Sequence, residues 1–406
     1  MRRMLIIGGG LAAGAAAETL RKEGFDGEVV IVSAEPHAPY QRPPLSKGYL
    51  GGAEGEDAVL LHPAAWYAEQ GIELRTGVAA TTLDPAEHAV ELADGTTVGY
   101  DAVLLATGAR PRTLPLPGHE LPGVVTLRTL DDSDALAARL REGGRRLVVI
   151  GAGWIGMEVA ATARGLGNEV AILERDDVPL SAALGTRMGE VFRALHLDHG
   201  VDLRTSVGVD RIVGSDRAEG VVVDGEMLPA DLVLIGVGAV PDTRLAETAG
   251  LDIDNGILTD ASLRSSAPDV YAAGDVANPF HPVLSRRLRS EHWANARSAG
   301  RVAARSMLGI PASLDGIPYF YTDQYDLGME LSGYAPLMAE AEVVVRGDVD
   351  AREFIAFWMN AGRVVAGMNV NVWNVNKGVQ ALIRSGRSID PAKLRDEDVP
   401  LDALAA

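Results

Sequence analysis

Cysteine is absent from this chain of 406 residues. Disulfides, thiolate zinc sites, cysteine-ligated iron–sulfur clusters and redox-active cysteine pairs are therefore excluded, and no metal site is predicted. Basic residues are also scarce: 37 against 56 acidic ones give a net charge of −19, which argues against a nucleic-acid-binding protein. Aromatic residues make up 5%. No apolar run reaches the roughly 20 residues of a membrane span, so no membrane partner is expected. The hydrophobic fraction of the whole chain, 47%, is typical of a globular protein, and the length suggests two or three domains.

The N-terminus has the pattern of a secretory signal, because Arg2 and Arg3 precede an apolar, alanine-rich run. The alternative is a buried strand that leads into a helix. The same pattern recurs at 145–163, RRLVVIGAGWIGMEVAATA, where a signal peptide cannot act. We therefore favour the strand and helix, and we expect a cytoplasmic protein.

Residues 4–35 predict a βαβ unit of the dinucleotide-binding kind. An apolar strand runs into Gly8-x-Gly10-x-x-Ala13, an alanine-rich helix follows, and a second strand ends at Glu35, 27 positions after the first glycine. In such units the first glycine makes the tight turn and the second lets the backbone approach a pyrophosphate. The third position packs helix on strand, and the carboxylate binds ribose hydroxyls.

Residues 147–174 repeat the whole pattern. The strand leads into Gly151-x-Gly153-x-x-Gly156, and the acidic residue, Glu174, follows the first glycine by 23 positions. A glycine turn that binds nothing is the alternative for either copy, and two complete copies disfavour it.

The duplication extends to a buried strand that closes each repeat. DAVLLATG at 101–108 and DLVLIGVG at 231–238 end in Gly108 and Gly238, where backbone can come close to a nucleotide. We therefore predict two bound dinucleotides, one in each repeat, with electrons passing between them.

Two later segments complete the predicted architecture. DVYAAGD at 269–275 predicts a strand of the first repeat, whose Asp275 could bind a polyhydroxyl chain or cap a turn, before a helix from about Glu291. From about 317 a small α+β domain follows, and its aromatic cluster at 317–325 could also be interface core. The predicted fold is α/β, with two Rossmann-like domains, the second inserted in the first. The ranges are 1–113 and 248–316 for the first dinucleotide-binding domain, 114–247 for the second and 317–406 for the C-terminal domain.

The motifs identify a family. Five motifs are present: EPHAPYQRPPLSK (35–47), ATGARPR (106–112), GAGWIGMEVA (151–160), AAGDVA (272–277) and EHWANA (291–296). With these motifs the sequence resembles, over essentially its whole length, the FAD- and NADH-dependent ferredoxin reductases of cytochrome P450 and ring-hydroxylating oxygenase systems. The first motif is specific, since related disulfide reductases carry a cysteine pair in that neighbourhood.

The resemblance implies FAD and NADH as cofactors and assigns residues to each. The FAD pyrophosphate is expected on Gly8, Gly10, Leu11, Ala12 and Ala13, and its ribose on Glu35. The rest of the expected FAD site is Arg42, Lys47, Ala80, Thr107, Gly108, Arg128, Asp275, Trp293 and Tyr321. The expected NADH site is Gly151, Gly153, Ile155, Gly156, Glu174 and Gly238.

Lys47 and Glu158 are the candidate catalytic residues that the resemblance implies. Lys47 is expected near the reactive flavin edge and Glu158 near the nicotinamide, paired with each other; an ordinary surface lysine is the alternative for Lys47. Trp154 stands where relatives carry a smaller or tyrosine side chain. Glu174 favours NADH, because its charge repels a 2′-phosphate, whereas Arg175 is the counter-argument.

The expected reaction passes a hydride from NADH to the flavin and single electrons on to a separate, acidic [2Fe-2S] ferredoxin. Rubredoxin, quinone or monodehydroascorbate are alternative acceptors, and an NADH-sensing protein resembling apoptosis-inducing factor is a less favoured function. For ferredoxin docking we predict Arg286, Arg287 and Arg289, within a basic segment that continues as Arg297, Arg301 and Arg305. A solvated helix face is the alternative for this segment, and Lys377, Arg384 and Arg387 are the next candidates.

Overall fold

The computed structural model describes residues 2–405. The outer limits of the predicted domain ranges fall on Met1 and Ala406, which lie outside the described residues. The chain divides into two compact units. The first comprises the N-terminal segment through Pro44, Glu54–Arg110 and Ala239–Gly316. The second comprises Leu45–Ala53, Pro111–Gly238 and the segment from Ile317 onward.

Strands and helices follow one another in both units. The strands are β1 (Arg3–Ile7), β2 (Glu28–Ser33), β3 (Ile72–Thr76), β4 (Ala80–Asp84), β5 (Ala89–Leu92), β6 (Thr97–Gly99), β7 (Ala102–Leu105), β8 (Ala109–Pro111), β9 (Val124–Val125), β10 (Arg146–Ile150), β11 (Glu169–Leu173), β12 (Asp202–Arg204), β13 (Val209–Val213), β14 (Gly220–Val223), β15 (Glu226–Pro229), β16 (Leu232–Ile235), β17 (Ala239–Pro241), β18 (Ile257–Thr259), β19 (Val270–Ala272), β20 (Ala277–His281), β21 (Arg286–Arg287), β22 (Tyr319–Gln324), β23 (Leu327–Gly333), β24 (Glu342–Asp348), β25 (Glu353–Asn360) and β26 (Arg363–Val370). The helices are α1 (Leu11–Lys22), α2 (Gly48–Gly51), α3 (Glu56–Val59), α4 (Ala64–Glu69), α5 (Leu130–Leu140), α6 (Trp154–Gly165), α7 (Ser181–Leu184), α8 (Thr186–Asp198), α9 (Arg244–Thr248), α10 (Trp293–Met307), α11 (Asn376–Ser385), α12 (Pro391–Arg395) and α13 (Leu401–Ala405).

The first unit is built on a parallel sheet of strand order β19-β7-β1-β2-β3. Its central strands are continuous apolar runs because both faces of the sheet are buried. Strand β19 pairs with β7, so the segment at 269–275 belongs to the first repeat, as predicted. Helices α1 and α10 approach closely, since a Cβ atom on Gly300 would lie 2.3 Å from the Ala12 carbonyl oxygen. Helix α10 begins at Trp293, two residues after its predicted start.

The second unit contains the matching parallel sheet, of order β12-β11-β10-β16-β9, and an antiparallel sheet of order β22-β23-β26-β25-β24. Leu45–Ala53, which fall within the range predicted for the FAD-binding domain, belong to this unit. Leu50 is fully buried in its core, and the Tyr49 hydroxyl donates to Asp134 Oδ1 at 2.6 Å. The fold class is as predicted: two Rossmann-like sheets and a C-terminal α+β region.

None of the helices within residues 2–405 is long and apolar enough to cross a membrane.

Candidate functional site

The glycine turn of the first unit contains one glycine that the fold requires and one that it does not. Gly8 has φ +125°, and a Cβ atom there would lie 2.1 Å from the Ala106 carbonyl oxygen, so the fold itself requires glycine. Gly10, the N-cap of α1, has φ −92° and ψ −174°, and a Cβ atom there would meet nothing within 4 Å. Neither backbone conformation nor packing therefore requires a glycine at position 10. The open space above the N-terminus of α1 fits a pyrophosphate.

Ala13 stands at the third position of the first glycine motif, and the start of α1 accommodates it. Ala13 is fully buried, and Leu11 and Ala12 are also buried. Ala12 is the residue that Gly300 of α10 approaches. The small side chains let two helices and the sheet pack closely behind the turn.

Glu35, just beyond β2, is held by its neighbours in the family motif. The Tyr40 hydroxyl donates to Glu35 Oε2, and Arg42 Nη2 donates to Oε1 at 2.9 Å. Burial alone would lower the pKa of Arg42, but the surrounding Tyr40, Glu35 and Asp275 side chains raise it above its usual value. Glu35, Arg42 and Asp275 therefore form one charged group in the first unit, at the carboxyl ends of its strands.

Four other predicted FAD residues of the first unit lie in a loop or at the start of a helix or strand. The Thr107 hydroxyl donates to the Asp242 carbonyl at 2.8 Å, and Gly108 follows in the same turn. Trp293 is the first residue of α10, with its indole donating to Gln41 Oε1 at 2.8 Å. Its backbone N–H is therefore one of the first N–H groups of the helix. These groups have no acceptor within the helix and can donate to a ligand. Ala80 is the first residue of β4.

The second unit repeats the division of roles among its glycines. A Cβ atom on Gly151, which has φ +102°, would lie 2.7 Å from the Gly236 carbonyl oxygen, and one on Gly156 would lie 2.3 Å from the Gly151 oxygen. Gly153 has φ −80°, and its Cβ atom would meet only the Gly236 oxygen, at 3.7 Å. Ile155, in the next turn, is 45% exposed. The space beside Gly153 fits the second dinucleotide, as the space beside Gly10 fits the first.

Glu174 lies against this second turn. Its Oε2 accepts from the Ala152 backbone N–H at 2.6 Å, and its Oε1 accepts from the Asp176 N–H at 2.9 Å. The Arg175 side chain is 87% exposed and pairs with Asp176 at 3.4 Å. The acidic side chain is therefore fixed beside the glycine turn.

Lys47 and Glu158 form the predicted ion pair. Lys47 Nζ lies 2.7 Å from Glu158 Oε2, and the two side chains are 16% and 3% exposed. The structure thus rules out the alternative of an ordinary surface lysine. Lys47 Nζ also lies 5.8 Å from the centre of the Tyr321 ring, within cation–π range.

The backbone just before Lys47 is tied to other parts of the second unit. The Ser133 hydroxyl donates to the Leu45 carbonyl at 2.8 Å, and the Thr162 hydroxyl donates to the Ser46 carbonyl at 2.7 Å. Glu158 lies one turn into α6, the helix that starts at the second glycine turn. The pair is therefore rigidly placed beside the predicted NADH site.

Two hydroxyl groups that the sequence did not single out complete the surroundings of Glu158. Ser46 Oγ donates to Oε2 at 2.5 Å and Thr322 Oγ1 donates to Oε1 at 2.6 Å. Ser46 adjoins Lys47 and could have been suspected on that ground. Thr322 is 164 positions away from Glu158, and no sequence signal points to it.

The remaining predicted residues of the second unit have identifiable surroundings. Trp154 packs against Phe192 and Phe320, with ring centres 5.6 Å and 4.6 Å apart, so its ring contributes to the core of this unit. The backbone N–H of Arg128 donates to Asp132 Oδ2 at 3.0 Å, just before α5. The carbonyl of Gly238 accepts from the Arg112 N–H at 2.9 Å.

The predicted docking arginines differ in what they contact. Arg286 is exposed on the β20–β21 hairpin. Arg287 donates to the Thr259 and Asn278 carbonyls at 3.0 and 2.8 Å. Arg289 is 17% exposed and pairs with Glu291. Arg289 also donates to the Asp275 carbonyl at 3.4 Å, so it ties the loop after the hairpin to Asp275. Arg286, in contrast, is exposed.

Two family models match the chain. The model for pyridine nucleotide-disulphide oxidoreductases matches residues 2–300, and the model for the reductase C-terminal domain matches residues 319–405. The disulphide chemistry in the first description has no residues to perform it here, because cysteine is absent. The predicted FAD and NADH cofactors agree with this family.

The chain is also similar to named reductases over nearly its full length. It is 40% identical to the 5,5'-dehydrodivanillate O-demethylase ferredoxin reductase subunit of Sphingobium sp., across 99% of this chain and 98% of that protein. It is 37% identical to the ferredoxin–NAD(+) reductase component of the anthranilate 1,2-dioxygenase system of Burkholderia cepacia, across 98% of each. The solved covalent putidaredoxin reductase–putidaredoxin complex matches with a TM-score of 0.95 and 33% identity, across 99% of this chain and 98% of that one. The chain belongs to the family of FAD- and NADH-dependent ferredoxin reductases.

Proposed function

We propose that this reductase passes electrons from NADH through FAD to a [2Fe-2S] ferredoxin, which in turn serves a cytochrome P450 or a ring-hydroxylating oxygenase in the cytoplasm. The observation that carries the proposal is the pair of dinucleotide sites, one in each unit, each with a glycine that the fold itself does not require. Bound FAD would supply two-electron reduction by NADH and one-electron release to an iron–sulfur protein, chemistry that the side chains of this chain cannot provide.

The first unit would hold FAD through the turn at Gly8 and Gly10, with Glu35 on the ribose and Asp275 on the ribityl chain. The charged group of Glu35, Arg42 and Asp275 supports this role, because Arg42 holds Glu35 in place. Replacing Asp275 with alanine should weaken flavin retention during gel filtration; full retention would leave Asp275 with a merely structural role.

The second unit would hold NADH through the turn at Gly151 and Gly153, with Glu174 on the ribose. Glu158, one turn into α6, would carry its negative charge where the nicotinamide ring becomes positive as the hydride leaves. Lys47 holds that carboxylate in one orientation. The expected position of Lys47 near the flavin edge stays a prediction.

Ferredoxin docking is proposed for the β20–β21 hairpin, whose first strand begins two residues after Asp275. Besides Arg286 and Arg287, the hairpin exposes Phe280 (39%) and Val283 (63%). Cationic groups beside exposed apolar side chains suit an acidic protein partner that must dock briefly and leave. Arg289 is proposed to act indirectly, by fixing the loop.

The deciding experiment is anaerobic NADH oxidation with matched concentrations of a [2Fe-2S] ferredoxin, a rubredoxin, a quinone, monodehydroascorbate and ferricyanide. We expect the ferredoxin to give the highest kcat/KM among the biological acceptors. A higher value for rubredoxin, quinone or monodehydroascorbate would replace the proposed acceptor. Reduction of FAD by NADH without turnover on any acceptor would favour an NADH-sensing flavoprotein instead.

A further inference from the structure

A chain of buried polar side chains continues from Glu158 into the interior of the second unit. Thr322 Oγ1 lies 2.6 Å from Glu158 Oε1, and Gln324 Nε2 lies 3.3 Å from Thr322 Oγ1. His196 Nε2 lies 2.9 Å from Gln324 Oε1. Thr322, Gln324 and His196 are 0%, 1% and 0% exposed. Thr322 and Gln324 lie on β22 and His196 lies on α8. With α6, which carries Glu158, three elements meet at this series of hydrogen bonds.

The chemistry of the groups sets the direction of every hydrogen bond. A carboxylate can only accept, so the Thr322 hydroxyl donates to Glu158 and its lone pairs face Gln324. The Gln324 amide then donates from Nε2, and its carbonyl oxygen faces His196. His196 must therefore donate from Nε2, which is the neutral Nε2–H tautomer. Burial lowers the pKa of His196 to about 4, in agreement with a neutral ring.

All three donors thus point toward the carboxylate of Glu158. Hydrogen bonds in such a chain polarise one another, and the effect increases where water is excluded. Burying a hydroxyl, an amide and an imidazole is unfavourable unless each is hydrogen-bonded, and here each of the three makes a hydrogen bond within the series. Their common feature is that they form one series of hydrogen bonds, which ends at Glu158 Oε1, whereas Lys47 pairs with Oε2.

We propose that Thr322, Gln324 and His196 are positioning residues for hydride transfer, which hold Glu158 Oε1 so that Oε2 stays on Lys47. This inference rests on the proposed role of the Lys47–Glu158 pair. Thr322 is the key member, because it alone touches the carboxylate. Gln324 orients the Thr322 hydroxyl, and His196 orients the Gln324 amide.

Thr322→Val tests the inference directly, since valine keeps the shape of threonine and carries a methyl group in place of the hydroxyl. Thr322→Ser is the matched control that keeps the donor. In anaerobic stopped flow, we expect Thr322→Val to lower the limiting rate of flavin reduction by NADH about tenfold, as suits loss of a hydrogen bond to a charged group, with the NADH Kd changed less than about twofold. Thr322→Ser should stay within about twofold of the wild type in both quantities.

A double variant separates positioning from a general loss of structure. If Thr322 acts through Glu158, then Thr322→Val should have no further effect on the reduction rate in a Glu158→Gln background. The melting temperature and flavin content of each variant are measured alongside. Should Thr322→Val fail to fold, Gln324→Met removes the next link at similar length, and a reduction rate slowed about threefold is expected.

The tautomer of His196 is an independent readout that needs no turnover. In the holoenzyme labelled with 15N-histidine, the His196 signals, identified by their loss in His196→Gln, should show a neutral ring protonated at Nε2 near neutral pH. A ring protonated at Nδ1, or at both nitrogens, would overturn the proposed direction of the chain.

The outcomes distinguish this inference from the function on which it rests. If Lys47→Met and Glu158→Gln slow flavin reduction but Thr322→Val does not, the positioning role is wrong and the proposed pair stands. If Lys47→Met and Glu158→Gln also leave the rate unchanged, the role of the pair itself is wrong. Slowing by Thr322→Val that adds fully to that of Glu158→Gln would likewise overturn positioning through Glu158.

Discussion

The carboxylate of Glu174 accepts a 2.6 Å hydrogen bond from the backbone N–H of Ala152, within the glycine turn of the second unit. Its other oxygen accepts from the backbone N–H of Asp176 at 2.9 Å. Because both donors belong to the backbone, the negative charge is fixed beside the turn without help from a neighbouring side chain. If the ribose lies beside this turn, as proposed above, the same carboxylate would accept from its hydroxyl groups and repel a 2′-phosphate.

The first prediction follows for nucleotide specificity. The wild-type kcat/KM should favour NADH over NADPH, and Glu174→Ala should lower the value for NADH by about 10- to 100-fold, as loss of hydrogen bonds to a charged group implies. Arg175→Ala is the control, and it should change the NADH value by less than about twofold because the exposed Arg175 side chain pairs with Asp176. A wild-type preference for NADPH would contradict the prediction.

The second prediction uses the glycine of the first unit that the fold does not require. Gly10→Ser should leave the apoprotein at least as stable as the wild type, because serine is a good N-cap and its Cβ atom meets no protein atom within 4 Å. The same side chain should block the pyrophosphate, so the purified variant should lose its yellow colour. Flavin content by absorbance and thermal unfolding of the apoproteins measure both parts. A variant that retains one FAD per chain would show that the pyrophosphate lies elsewhere.

The third prediction is the matched substitution in the second unit. Gly153→Ser should keep FAD and fold, since only the Gly236 oxygen lies near its Cβ atom, at 3.7 Å. Its Kd for NAD+, measured by calorimetry, should rise at least about tenfold, because the side chain occupies the pyrophosphate space. Loss of FAD from this variant, rather than of NAD+ affinity, would contradict the assignment of the two turns.

The fourth prediction concerns the buried ion pair. Lys47→Met leaves the 3% exposed Glu158 without its cation, and an unpaired buried charge is strongly unfavourable. Flavin reduction by NADH in stopped flow should slow by at least about tenfold. Lys22→Met is the control: this lysine is 68% exposed and pairs with Glu18, so the rate should not change. An equal rate in the wild type and in Lys47→Met would exclude the pair from the reaction.

The fifth prediction concerns docking. Arg286→Glu, alone or with Arg287→Glu, should raise the KM for ferredoxin several-fold at low salt and leave ferricyanide reduction unchanged. The effect should fade at high salt, because exposed charges are screened beyond about 8–10 Å near physiological ionic strength. Arg211→Glu, on the exposed surface of β13, is the matched charge reversal and should have little effect. If the charge reversals on the hairpin leave the KM for ferredoxin unchanged at low salt, Lys377, Arg384 and Arg387 become the next candidates.

Much of this reductase was predictable from sequence because the determining interactions are local. A glycine that must adopt a positive φ, as Gly8 and Gly151 do, is needed by the turn in which it stands. The strands of a parallel sheet buried on both faces are apolar throughout, so β1 and β10 are recognisable without knowing their partners. The acidic residues Glu35 and Glu174 follow from the length of a βαβ unit. Local geometry therefore determined the fold class, the two glycine turns and the two acidic residues.

Tertiary structure alone decided which distant side chains share a site. Glu158 contacts Thr322, which is 164 positions away, and His196 contacts Gln324, which is 128 positions away. Their spacing in the sequence predicts neither contact. Likewise, the sequence shows three arginines at 286–289, but it does not show that Arg289 is paired with Glu291 while Arg286 is exposed. Hydrogen bonds and ion pairs between side chains depend on distances of a few ångströms, and those distances exist only once sheets and helices have packed. The sequence by itself predicted two dinucleotide-binding units and the family; packing decided how the buried carboxylate of Glu158 is held.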